Sequence, residues 1–182
     1  LSDASLTVLD NSGFAWAASG AGVLGNSLKN SGQQSNDSDT DLYNAYSVGD
    51  RAIRCFFRDD HLSDLIGFTY SQWHGDDAVA DLVSRLEEIA QRCAEQPDAV
   101  VAIIMDGENA WEHYHQNGFY FLRGLYRQLA DHLDLNLTTF SQCLQGHSKQ
   151  LYHLTAGSWV YGNLTTWIGS ADKNRAWDML IN

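Results

Sequence analysis

The spacing of apolar positions along the chain alternates between strand-like and helical. Residues 2–9 predict a short helix with Ser2 or Asp3 as N-cap, ended by Gly13. Phe14-Ala15-Trp16-Ala17 reads as a short buried strand, and residues 23–28 as one or two helical turns. A tract rich in Ser, Asn, Asp and Gln at 29–41 predicts a surface loop. Residues 45–48 and 51–57 predict strands. The clearest helix is 76–95, where Ala78, Val79, Leu82, Val83, Leu86, Ile89, Ala90 and Cys93 recur at i, i+3/i+4. Asp76 and Asp77 occupy its first turn, where the helix dipole favours acids, and the only proline, Pro97, follows as a stop signal. The unbroken apolar run 99–105 predicts a strand buried on both faces, as in a parallel sheet. A second helix is predicted at 118–132, with Phe121, Leu122, Leu125, Tyr126 and Leu129 on one face. A short strand at 137–140, a Gly- and Trp-rich loop at 157–169 and a helix at 173–181 complete the pattern. Alternation of this kind is the mark of an α/β fold.

The 182 residues suffice for one domain with a sizeable core. A net charge of −12 and a pI near 4.7 argue against nucleic acid or an anionic membrane as partner and fit a neutral substrate. Aromatics make up 12% of the chain, with six Trp and eight Tyr. Indole faces stack on sugar rings, although core packing is the commoner fate of any single Trp. Cys55, Cys93 and Cys143 lack metal-ligand spacing and are odd in number, which predicts reduced thiols. No apolar run reaches the roughly 20 residues of a membrane helix. No signal peptide is visible, so a cytoplasmic location is expected. The chain opens on Leu-Ser-Asp-Ala-Ser-Leu without Met, which leads to the expectation that it is part of a longer protein.

Parallel α/β architectures place reacting groups at the C-terminal ends of strands. Asp106-Gly107-Glu108 directly follows the apolar run 99–105, and Arg58-Asp59-Asp60-His61 directly follows Phe57. Glycoside hydrolysis uses two carboxyl groups across the scissile bond, about 5–5.5 Å apart when configuration is retained. An Asp at the end of an apolar strand among tryptophans suits the general acid of that pair. It equally suits a turn or a helix cap, since Asp-Gly is a common turn pair.

Residues 105–112, Met-Asp-Gly-Glu-Asn-Ala-Trp-Glu, resemble the Asp-x-Glu motif of family 57 glycoside hydrolases. Residues 57–68, Phe-Arg-Asp-Asp-His-Leu-Ser-Asp-Leu-Ile-Gly-Phe, resemble the block upstream of it. Gly157-Ser158-Trp159, Trp167-Ile168-Gly169 and Lys173-Asn174-Arg175-Ala176-Trp177 resemble its last block. The three stand in the family's order and cover the chain from about residue 51 onward, and residues 1–28 resemble the segment after the family's nucleophile motif. The resemblance implies part of an irregular seven-stranded (β/α) barrel over 1–170, leading into a helical region at 171–182. It implies retaining action on α-glucans of the starch and glycogen type, as in α-amylases and amylopullulanases, with no metal or other cofactor. Asp106 takes the role of general acid/base. Glu108, Trp111, Arg58, Asp59, His61 and Asp64 belong to the surrounding site, and Trp159 and Trp167 supply stacking surfaces. The family's nucleophilic Glu is expected upstream of Leu1. An alternative alignment puts Trp16-Ala17-Ala18-Ser19 on the nucleophile strand, with serine in place of Glu.

Two further readings stay open. One is a glucan-binding relative without catalysis. The other is a metal-dependent polysaccharide deacetylase, prompted by Asp59-Asp60-His61 but lacking two histidines on a later strand. His113 and His115 have strand-type metal spacing yet lead into a helix.

Overall fold

The computed structural model describes residues 1–33, 38–108 and 110–181. Part of the predicted polar loop (34–37), Asn109 of the Asp-x-Glu block and Asn182 of the predicted helical region therefore lie outside the described residues. In chain order the elements are α1 (Asp3–Asn11), β1 (Trp16–Gly20), α2 (Ala21–Asn30), α3 (Ser38–Asp41), β2 (Ala45–Val48), β3 (Arg54–Arg58), α4 (Asp60–Asp64), α5 (Gly75–Arg92), α6 (Phe119–Ala130), α7 (Phe140–Cys143), β4 (Ser148–Leu151), α8 (Thr165–Ile168) and α9 (Ala171–Ile181). A π-turn (Leu65–Thr69) and two 3-10 turns (Tyr70–Gln72 and His115–Gly118) link the longer helices.

The sheet has four strands in the order β1-β3-β2-β4. β1 runs parallel to β3 and β2 parallel to β4, but β2 and β3 are antiparallel, so the sheet is mixed rather than wholly parallel. A four-stranded mixed sheet flanked by helices is what the described residues build. One face of the sheet buries Cys55, Phe57, Tyr46, Val48 and Leu151 against Leu6 of α1 and Val23, Leu24 and Leu28 of α2. Phe56, on the opposite face by the strand's period of two, stacks on Phe140 with centroids 4.5 Å apart. A second core joins α4, α5 and α6 through Leu62, Ile66, Leu82, Leu86, Phe121 and Leu125.

Several predicted elements shift. The run 99–105 forms no named strand, and among the described residues it makes only one sheet bridge, Arg58 with Ala102. Its hydrogen bonds go to β3's end and to loops: the Val100 amide donates to Tyr43 O and Ala102 O accepts from Asp59 N. Its apolar side chains Val101, Ile103 and Met105 pack on the helical core, so their hydrophobicity reports helix contact rather than burial inside a sheet. The predicted strand 137–140 is instead a cap followed by α7. Thr139 and Gln142 form a capping box, a local preference that overrides the apolar pattern. β4 carries Ser, Lys and Gln, and its polarity hid it from the pattern. The strand expected at 14–17 starts at Trp16, with Phe14 and Trp16 largely exposed. Part of the loop predicted at 157–169 is the single turn α8. The strand at 45–48 and the helices α1, α5, α6 and α9 lie where the periodicity puts them, within a few residues. Among the described residues no helix is long and apolar enough to cross a membrane.

Candidate active site at the strand ends

β1 and β3 end side by side, with Gly20 opposite Arg58. The segment 99–105 runs parallel to β3 at the Arg58–Ala102 bridge and ends in Asp106. Three chain segments thus deliver their C-terminal ends to one place, the position at which open α/β sheets bind ligands. A pocket of about 670 Å³ opens there. Ala18, Ser19, Gly20, Arg58, Ile104, Met105 and Asp106 line it from the strand ends, Phe68 from the π-turn, His113 from a loop, and Trp159 and Trp167 from the segment after β4.

The sequence-predicted residues divide into three groups. Asp106, Arg58, Trp159 and Trp167 line this pocket together. The Asp106 residue is exposed, and Trp159 and Trp167 are 48% and 58% exposed, so both indoles present area to a ligand. Asp64 reaches the pocket indirectly, through Arg58: the guanidinium Nη2 donates to Asp64 Oδ1 at 2.6 Å. Asp59 is buried beneath the site. Its Oδ1 caps α4 by accepting from Leu62 N at 2.9 Å, and its Oδ2 accepts from the Tyr43 hydroxyl at 3.0 Å. Burial, then the neighbouring Asp59 carboxylate, push the Tyr43 phenol up to about 12.

His61, Glu108 and Trp111 are placed elsewhere. His61 is exposed on α4, with Nε2 3.2 Å from Nη1 of Arg85 on α5. Glu108 is exposed and does not line the pocket. Trp111 packs on the helical core, with its ring 5.4 Å from Tyr114 and 6.2 Å from Phe121.

Arg58 is the polar centre of the pocket floor. Nε donates to Ile104 O at 2.9 Å and Nη1 to Asp60 Oδ1 at 2.7 Å. Burial opposes its charge, but the hydrogen bonds and charges of Asp64 and Asp60 outweigh burial and hold the guanidinium above its ordinary value. It also lies 5.6 Å from the centroid of the Trp159 ring.

Trp159 is held over the pocket by backbone-to-backbone packing. A Cβ on Gly20 would come within 2.8 Å of Trp159 Cα, and one on Gly162 within 2.6 Å of the Gly22 carbonyl carbon. Gly162 has φ +64°, which only glycine adopts without strain. Asn26 Nδ2 adds a hydrogen bond to Gly162 O at 3.0 Å.

The sequence reading missed Glu112 as a site residue and weighed His113 only as a metal ligand. Both line the pocket, and His113 Nε2 lies 3.3 Å from Glu112 Oε1. Their signal was their place within and just after the 105–112 block. Among the described residues no group of three or more His, Cys, Asp or Glu is placed to hold a metal ion.

The sequence matches the model of glycosyl hydrolase family 57 over residues 1–154. Among solved structures it is similar to the crystal structure of 4-alpha-glucanotransferase from Thermococcus litoralis, with a TM-score of 0.63 and 16% identity. That match covers 97% of this chain and 26% of that one, so the chain spans about a quarter of the length of its structural neighbour. At this identity the likeness is one of fold. A search of curated proteins found no match.

Proposed function

The chain belongs to glycosyl hydrolase family 57, and on that premise we propose that it forms part of the active site of a retaining α-glucan hydrolase or transglycosylase, with Asp106 as general acid/base. The observation that carries the proposal is the shared pocket. One carboxylate at a strand end faces the same space as two half-exposed indoles, Trp159 and Trp167. Flat apolar faces in one pocket with a proton donor suit a neutral sugar chain, and the net charge of −12 fits an uncharged ligand.

In the proposed reaction Asp106 protonates the glycosidic oxygen as the bond to the anomeric carbon breaks. A nucleophilic carboxylate captures that carbon from the other face. Asp106 then deprotonates the acceptor, water in hydrolysis or a glucan hydroxyl in transglycosylation, as the acceptor oxygen bonds to the anomeric carbon and the nucleophilic carboxylate departs. The nucleophile is proposed to come from chain outside residues 1–182, in keeping with the resemblance of residues 1–28 to the segment after the family's nucleophile motif. Trp159 and Trp167 stack on sugar rings and exclude water, while Asp59, Asp64 and Arg58 support the pocket floor. The similar solved structure is a 4-alpha-glucanotransferase, which makes transglycosylation as fitting as the amylase or amylopullulanase reaction.

The test is product analysis with maltoheptaose. Asp106→Asn in the native polypeptide lowers turnover at least about 100-fold, the usual contribution of a general acid. Near-normal turnover in that variant refutes the assignment. The 182-residue chain alone yields no products if the nucleophile lies elsewhere. New glucans from it that vanish on Asp106→Asn place the nucleophile within these residues instead, with Glu112 the first candidate. A native polypeptide that binds glucans but never cleaves them is the non-catalytic relative.

A further inference from the structure

The Arg58 side chain is 12% exposed and sits between the two features that the proposed chemistry needs. Its Nε holds the carbonyl of Ile104, two residues before Asp106, at 2.9 Å. Its Nη1 and Nη2 are held by Asp60 at 2.7 Å and Asp64 at 2.6 Å. Its guanidinium carbon lies 5.6 Å from the Trp159 ring centroid. With every nitrogen already engaged by a carbonyl or a carboxylate, little donor capacity is left for a sugar hydroxyl. The two carboxylates outweigh its single charge, which leaves a poor receptor for an anionic ligand.

The segment that carries Asp106 needs such a tie. Among the described residues its only sheet bridge is Arg58 with Ala102, four residues before Asp106. Beyond that point the described anchors are the Arg58 Nε bond to Ile104 O and the bond from Ile104 N to Ser63 Oγ at 3.2 Å. We infer that Arg58, anchored by Asp60 and Asp64, is a positioning residue that fixes Asp106 relative to Trp159, and so sets the distance between the proton donor and the stacked sugar. The planar guanidinium fixes three bond directions at once, which a lysine ammonium cannot reproduce. Misplacing a reacting group by about 1 Å costs on the order of 100-fold in rate.

This inference rests on the α-glucan reading, and its test separates the two. Arg58→Lys, Asp64→Asn, the double variant and Asp106→Asn are made in the native polypeptide, with folding checked by circular dichroism. Turnover of maltoheptaose is followed as kcat, KM and the pH dependence of kcat. Arg58→Lys lowers kcat about 10-fold or more with KM changed less than about 3-fold, and displaces the limb of the pH profile that reports the general acid. Asp64→Asn gives a smaller loss of the same kind, and the double variant is no worse than Arg58→Lys alone, as expected for one unit. A raised KM with kcat retained makes Arg58 a substrate contact and overturns the inference, as do additive losses. If Arg58→Lys fails to fold, Asp64→Asn decides: a fall in kcat supports the clamp and an unchanged kcat overturns it. Asp106→Asn without effect overturns the α-glucan reading and the clamp together. An inactive Asp106→Asn beside Arg58 and Asp64 variants of normal kcat overturns the clamp alone.

Discussion

Replacing Gly162 by alanine tests how the loop that carries Trp159 is seated. The new methyl would stand 2.6 Å from the carbonyl carbon of Gly22 and 2.7 Å from its oxygen. Those atoms are backbone, so no rotamer change relieves the overlap. Gly13 supplies the control: its φ is +81°, but nothing lies within 4 Å of the Cβ position. Gly13→Ala therefore costs the left-handed conformation alone, about 1–2 kcal/mol. Gly162→Ala carries that term plus overpacking of about 1–3 kcal/mol, or about 2–5 kcal/mol together. At about 2–4 °C per kcal/mol for a chain of this size, Gly13→Ala lowers Tm by about 2–8 °C, and Gly162→Ala lowers it further. The assay is thermal and urea unfolding of both variants, with native-state hydrogen exchange over residues 157–163. If the loop detaches instead, the free-energy cost is capped at that of docking it, and exchange in 157–163 rises while the rest of the chain is unchanged. Equal costs for the two variants, with unchanged exchange in 157–163, refute the reasoning.

Asp59→Ala removes the cap of α4 and leaves the buried Tyr43 hydroxyl without its acceptor. A lost cap costs about 0.5–2 kcal/mol and a lost hydrogen bond to a charged group about 1.5–3 kcal/mol, so urea unfolding registers a loss of about 2–5 kcal/mol. A loss under about 1 kcal/mol contradicts the paired role. At high pH the buried acids govern stability. Burial raises Cys55 from 9.0, and Tyr114 from 10.0, each to about 12 in the folded chain; Tyr43 is raised as far by burial and the Asp59 charge. A group raised by folding favours the folded state fully below its unfolded value, and that contribution is lost as pH climbs through the folded one. Stability therefore falls between about pH 9 and 12, and tyrosinate absorbance from these residues develops together with the loss of circular dichroism. Full tyrosine ionisation near pH 10 with the fold intact contradicts this.

What the sequence determined by itself is local. The helix periodicity of residues 78–93 and 121–129 places α5 and α6, because one apolar face every 3.6 residues has only one way to be buried. Ser2 or Asp3 is read as the N-cap because either side chain can satisfy an otherwise unpaired helix amide; Ser2 fills the place, at the Ser5 amide. The two charged clusters after Phe57 and Met105 are read as strand-end sites from their position alone, and the structure puts Arg58 and Asp106 in one pocket.

What only the tertiary structure decided depends on partners distant in sequence. The run 99–105 has the composition of a buried strand, but apolar side chains do not say whether they meet a sheet or a helix, and here they meet the helical core. β4 is polar and is a strand only because β2 offers it backbone partners. Arg58 and Asp59 are adjacent in the motif yet play unlike parts, since successive residues at a strand end point in different directions. Trp111 and Trp159 are chemically the same residue. One packs on a helical core and the other is brought to the pocket because three glycines, Gly20, Gly22 and Gly162, let two backbones touch, a contact that spans more than 130 residues of chain and leaves no local pattern to read.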